Sequence, residues 1–159
     1  MPPGKYQARL KVGGNTLTEG FNVLIDPRVA EEGITLADLQ EQYEHNMRMR
    51  ELVTNVNQLV ARVRDAQTKM RSASTVDNDM AAKVSALAAK LLTEPIRYSK
   101  PGLQAHITYL ASMTANVDQK IGRDAIERYA VLKKELDVLR AEVDRVLGPA
   151  TAIGNGNDK

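Results

Sequence analysis

Between Ile34 and Pro95 the chain contains neither proline nor glycine. Proline removes a backbone donor and glycine costs backbone entropy, so a stretch of this length without either is written for helix. Within it Leu39, Tyr43, Met49, Val53, Val56, Val60, Val63 and Met70 recur mostly at spacings of three and four, with Leu52 and Leu59 widening the stripe. That period marks a helix with one buried face. Thr35 and Asp38 form a capping-box pattern, with aspartate in place of the usual glutamate, and set the helix start. Read to Ala73, this first helix runs about 38 residues, or about 57 Å at 1.5 Å per residue.

Three more helices follow. Ser72, Ser74, Asp77, Asn78 and Asp79 crowd one junction with side chains that cap helices and compete for backbone hydrogen bonds, which predicts a turn. Met80, Val84, Leu87 and Leu91 share the face of a second helix, closed by Pro95, whose alanines at 81, 82, 86, 88 and 89 permit close approach. After a linker over residues 98–102, Leu103, Ile107, Leu110, Met113, Val117 and Ile121 define a third helix, with Gly122 as its C-cap. Asp124 caps a fourth, in which Tyr129, Leu132, Leu136, Leu139, Val143 and Val146 step by three and four until Gly148-Pro149. Four amphipathic helices with short connections predict a mainly α fold, an antiparallel four-helix up-down bundle over residues 30–148. The alternative is a coiled-coil oligomer joined through the first and fourth helices. Residues 149–159, small and polar, read as a disordered tail.

Residues 1–29 are written in a different period. Tyr6, Ala8, Leu10 and Val12 alternate with Gln7, Arg9 and Lys11, Gly13-Gly14-Asn15 supplies a tight turn, and Leu17, Glu19, Phe21, Val23 and Ile25 continue the alternation. Asp26-Pro27 ends the second strand. This predicts a two-stranded β-hairpin ahead of the helices. Two strands alone are at best marginally stable, and the chain enters a strand directly after Met1-Pro2-Pro3-Gly4. The hairpin is therefore read as the remnant of a β-sandwich domain whose other strands lie upstream, in preference to a hairpin that packs on the helices.

Composition excludes several functions. With no cysteine among 159 residues, disulfides, thiolate metal sites and cysteine nucleophiles are absent. Aromatic residues make up 4%, with no tryptophan and one phenylalanine, too few for a module that stacks on sugars or bases. The formal charge is +2, which gives no global argument for nucleic acid or an anionic membrane. No apolar run is long enough to span a membrane, and the N-terminus lacks the pattern of a signal peptide.

The search for chemistry yields no site. Of the two histidines, His45 lies four residues after Glu41 on one helix face, but Gln42 stands where a Glu-x-x-His metal motif needs glutamate, and His106 has Leu103 at that position. His45 is read as a surface residue of a charged helix. Asp124, Glu127, Glu135, Asp137, Glu142 and Asp144 interleave with Arg128, Lys133, Lys134, Arg140 and Arg145 off the apolar stripe, and Asp124–Arg128, Lys133–Asp137 and Arg140–Asp144 form i, i+4 pairs of a solvated face. No nucleophile elbow, P-loop or dinucleotide fingerprint occurs. No catalytic, cofactor-binding or metal residue is assigned, and the chain is not expected to be an enzyme. Arg48, Arg50, Arg62, Arg64, Lys69 and Arg71 form a basic stripe, countered only by Glu51 and Asp65. Such a stripe suits phosphates or an acidic partner; equally, with acids at the helix start (Glu31, Glu32, Asp38, Glu41, Glu44) it complements the helix dipole.

Pro3-Gly4-Lys5-Tyr6-Gln7-Ala8-Arg9-Leu10, the Gly-Gly turn, and the run Val23 to Val29 containing Asp26-Pro27-Arg28 resemble the PGxYxVRL…V…DPRV end of an immunoglobulin-like region. That region occurs in large bacterial proteins with a sortilin-type, BNR-repeat β-propeller, commonly labelled glycosyl hydrolase-like. Asp38-Leu39-Gln40-x-Gln42-Tyr43, Val56-Asn57, Leu110 to Lys120 and Tyr129-x-x-Leu132-x-x-Glu135-Leu136-Asp137 resemble the helical tail of the same family. The resemblance implies a non-catalytic C-terminal structural or interaction module of a larger exported protein. Its partner would be the upstream propeller and Ig-like domains or a second copy of the chain, and its signal peptide would lie outside this chain. Ligand-binding or hydrolytic chemistry would reside in the propeller, so no catalytic residue of the family maps onto this sequence. The alternative function is a self-contained helical interaction or oligomerisation module.

Overall fold

The computed structural model describes residues 1–73, 75 and 77–150. The tail read as disordered lies, from residue 151 onward, outside the described residues, as does Ser74 of the first helix junction. The chain is mainly helical, with an N-terminal two-stranded antiparallel sheet: β1 (Gly4–Val12), β2 (Asn15–Val23), then helices α1 (Pro27–Glu31), α2 (Leu36–Ser72), α3 (Asn78–Leu91), α4 (Leu103–Ala115) and α5 (Arg123–Leu147).

Each boundary has a local cause. The β1–β2 connection is a two-residue turn at Gly13 and Gly14, whose φ values of 54° and 83° disfavour any side chain. β2 ends at Val23, short of the expected stop at Asp26-Pro27; Asp26 instead begins α1, its carboxylate accepting from the Arg28 amide, with Pro27 at the first helical position. Thr35 and Asp38 form the predicted reciprocal cap, the threonine hydroxyl accepting from the Asp38 amide and the aspartate accepting from the Thr35 amide. The third helix is shorter than its apolar spacing suggests, because α4 ends at Ala115. Gly122 is the N-cap residue of α5, so Asp124 stands inside the first turn rather than capping it.

The helices share one core. Met49, Val56, Val63, Val84, Leu91, Ile107, Leu132, Leu136 and Val143 are almost completely withdrawn from solvent and belong to a single cluster spanning α2 to α5. The cross-helix bonds fix chain direction. Gln42 and Asn46 near the start of α2 reach Thr114 near the end of α4, while Asn57 further along α2 meets Gln104 near the start of α4, so this pair is antiparallel. His45 meets Tyr129, and Arg62 meets Asp144, so α2 and α5 are parallel. Lys90 at the end of α3 bonds Glu142, two residues from the Asp144 that holds Arg62, so α3 returns from the end of α2 toward its middle.

The antiparallel up-down alternation expected for four helices is therefore not what these contacts describe. An up-down bundle would make α2 and α4 parallel and α2 and α5 antiparallel, the opposite of both observations. Instead α3 and α4 run in the same direction along α2, as two segments of one interrupted layer, and α5 returns beside them. The interruption is tight at Gly102: a Cβ there would lie 2.5 Å from the Leu92 carbonyl carbon and 2.6 Å from the Leu91 oxygen. Glycine is required by close backbone approach.

Candidate interaction surface

Among the described residues nothing covers the hairpin. Directly opposed residues share a face, and the register pairs Tyr6 with Phe21, Ala8 with Glu19 and Leu10 with Leu17. One face thus carries Tyr6, Ala8, Leu10, Val12, Leu17 and Phe21, with Glu19 among them; the other carries Lys5, Gln7, Arg9, Lys11, Thr16, Thr18 and Asn22. Leu10, Val12, Leu17 and Phe21 are 59%, 64%, 69% and 44% exposed, so the apolar face is bare. Its internal order is local: Tyr6 and Phe21 stack with centroids 5.9 Å apart, and the Tyr6 hydroxyl donates to the Pro2 carbonyl at 2.6 Å. Among the described residues the strands pair only with each other, and of the hairpin only Val23, at the end of β2, comes near α2. Ile25, predicted to extend the second strand, lies beyond its end.

Where the hairpin meets the helices, a cleft of about 330 Å³ opens between Pro2, Val23, Ile25, Gln42, Tyr43 and Asn46. Beneath it lies a polar cluster. Gln42 is buried; its side-chain amide donates to the Thr114 and Val117 carbonyls at 2.8 and 2.7 Å, and its oxygen accepts from the Gln119 amide at 3.3 Å. Asn46 donates to the same Thr114 carbonyl at 3.1 Å. These bonds take up carbonyls at the end of α4 that have no partner within the helix.

His45 adjoins this cluster, and its position corrects the surface reading. It is completely buried, packs edge-on against Tyr129 at 5.9 Å between centroids, and neither ring nitrogen has a hydrogen-bond partner among the described residues. Burial pushes its pKa down, the nearby Arg48 guanidinium adds to that, and Glu41 opposes it. The signal was in the spacing: Leu39, Gln42, His45, Met49, Leu52 and Val56 step by three and four, so the core stripe runs through both polar residues.

The remaining candidates are dispersed. His106, on α4, is half-buried and lies far along the chain from the His45 layer. Among the described residues, no group of three or more His, Cys, Asp or Glu could hold a metal ion, and no helix is long and apolar enough to cross a membrane. Of the three expected α5 pairs, Lys133–Asp137 forms at 2.7 Å, while Asp144 bonds Arg62 of α2 instead of Arg140. The basic stripe is partly engaged within the chain: Arg48 lies over the Tyr129 ring at 5.9 Å, and Arg62 bonds both Asp144 and the Gly148 carbonyl. Compared with models of protein families, with curated proteins and with solved structures, the chain has no match.

Proposed function

We propose that this chain is a non-catalytic structural and interaction module in which the helices fold around their own core and the hairpin is the element that docks. The observation that carries the reading is the contrast in cover: the apolar stripes of α2 to α5 face one another, whereas the apolar face of the hairpin faces solvent. A bare two-stranded sheet is marginal by itself, so a partner that covers it gains from burying Leu10, Leu17 and Phe21. The family resemblance supports a specific form of this reading, in which the covering layer comes from Ig-like or propeller domains of a larger exported protein. Oligomerisation through the first and fourth predicted helices is less favoured, because the stripes it would use, on α2 and α5, are already in the core.

The test is a chain beginning at Asp26, which retains the cap of α1 and lacks the hairpin. Its helical circular dichroism and urea midpoint are expected to match those of the full chain. Loss of helicity or a markedly lower midpoint would show that the hairpin is part of the fold's own stability, and the docking reading would fail.

A further inference from the structure

Among the described residues both outer edges of the sheet are unpaired, and they differ in a way that selects one of them. β1 carries Lys5, Arg9 and Lys11 along one face, cations of the kind that protect an exposed edge against strand addition. β2 carries Thr16, Thr18, Gly20 and Asn22 on that face, and no cation anywhere along its length. Its one charge, Glu19, sits on the apolar face opposite Ala8 and has no ion-pair partner among the described residues.

We propose that the outer edge of β2 accepts an extended strand from another polypeptide, with apolar residues beside Leu17 and Phe21 and a lysine or arginine across from Glu19. The assignment rests on the docking reading above and names its partner. Main-chain hydrogen bonds to the free edge supply sequence-independent attraction, and side chains on the apolar face supply selection. The lone carboxylate selects by charge, because opposite charges directly across a sheet attract and like charges repel.

A second copy of the chain fits this edge poorly. Antiparallel pairing of β2 with its own copy about a two-fold axis keeps the odd-numbered residues on one face. In the registers that pair most of the strand, the two Glu19 carboxylates then stand directly across from each other or on the neighbouring diagonal, at about 5 to 8 Å, with no cation between them. A partner strand bearing a cation removes that conflict.

The experiment uses the full chain and two synthetic peptides with the sequence of residues 4–12, one carrying Ala8→Lys and the other Ala8→Glu. Position 8 is the natural partner of Glu19 in the register of this sheet. At millimolar peptide, amide hydrogen exchange is expected to slow within residues 15–23 and stay unchanged within 4–12. The lysine peptide is expected to bind about threefold more tightly than the glutamate peptide. Glu19→Lys in the protein should invert that preference, and Thr16→Lys with Thr18→Lys should abolish binding while leaving the helical signal intact. Protection on β1, protection on neither edge, an unchanged preference in Glu19→Lys, or dimerisation of the chain without peptide would each overturn the assignment. If the chain beginning at Asp26 folds normally while no peptide protects β2, the strand-acceptor assignment fails and the docking reading stands; if that shorter chain unfolds, the docking reading itself fails.

Discussion

The hairpin and the helices obey their sequence periods equally well, yet only the helices enclose what those periods present. In α2 to α5 the three-and-four spacing places Val56, Val63, Ile107, Leu132 and Val143 out of contact with solvent. In β1 and β2 the two-residue alternation sorts apolar from polar residues, Glu19 excepted, and Leu10 and Leu17 remain more than half exposed. Periodicity therefore specifies which face wants cover but not whether this chain supplies it.

Truncating one residue in each region tests whether the two are energetically separate. Leu132→Ala removes a side chain with no exposure from the centre of the core and should lower unfolding stability by about 2 to 5 kcal/mol in urea titrations followed by helical circular dichroism. Leu17→Ala on the bare face should change it by less than about 0.5 kcal/mol. Equal losses would mean that the hairpin contributes to the same cooperative unit, against the separation drawn here.

A second substitution probes the join between α3 and α4. Gly102→Ala forces a methyl group against the backbone of Leu91 and Leu92, atoms that cannot rotate away. The expected loss is about 1 to 3 kcal/mol, the usual range for overpacking, read from the same titration. No comparable effect is expected from Gly20→Ala in the hairpin, where the nearest neighbour of a new Cβ is the Tyr6 carbonyl at 4.0 Å.

That join also marks where sequence reading stopped. The Thr35–Asp38 cap and the Gly13-Gly14 turn were legible because each rests on contacts within a few residues, and most of the core stripe was legible from its period, although Tyr43, Met113 and Val117, expected on it, are exposed. Chain direction was not, since a helix presents the same apolar stripe whichever way it runs, and residues 92–102 can serve a reversal or a straight continuation. α1 was missed because Asp26-Pro27 reads equally as a strand stop and as a helix start; the strand ends earlier, at Val23, and the two residues start a helix. The interaction surface was half legible: its apolar face follows from alternation, while its exposure depends on what the helices leave uncovered. His45 was misplaced because a titratable residue between Glu44 and Asn46 looks solvated unless the stripe is counted through it.

The buried imidazole gives the helices a pH dependence of stability. His45 has its pKa lowered by burial, then by Arg48, so the folded state binds its proton less well than the unfolded chain does. Stability should be full above the ordinary histidine value of about 6.5 and fall as pH drops from there toward the folded value. Asp38, whose carboxylate is held below its ordinary pKa by bonds from Thr35, loses its contribution only further down, below about pH 4. Urea midpoints measured between pH 7 and pH 5 should decline in the native chain and stay level in His45→Leu. A decline that persists in His45→Leu would assign it to another group.

The smallest effect expected concerns side-chain polar ties between elements, which the helices have and, among the described residues, the strands lack. Arg62 of α2, with about a quarter of its side chain exposed, donates to the Asp144 carboxylate and to the Gly148 carbonyl, both at 2.7 Å. Gly148 follows the last turn of α5, where carbonyls have no partner within the helix and the helix dipole favours a cation. Partial exposure weakens the ion pair, so Arg62→Ala should cost about 1 kcal/mol, most of it from the carbonyl left without its donor. Arg62→Lys should lose about half as much, because one ammonium replaces a planar group that reaches two acceptors at once. Raising salt to 1 M should remove the Asp144 share alone. A loss in Arg62→Ala as large as that in Leu132→Ala would mean that α5 is held to α2 by this tie rather than by the core, and the contrast with the hairpin would then be one of polar anchoring instead of apolar cover.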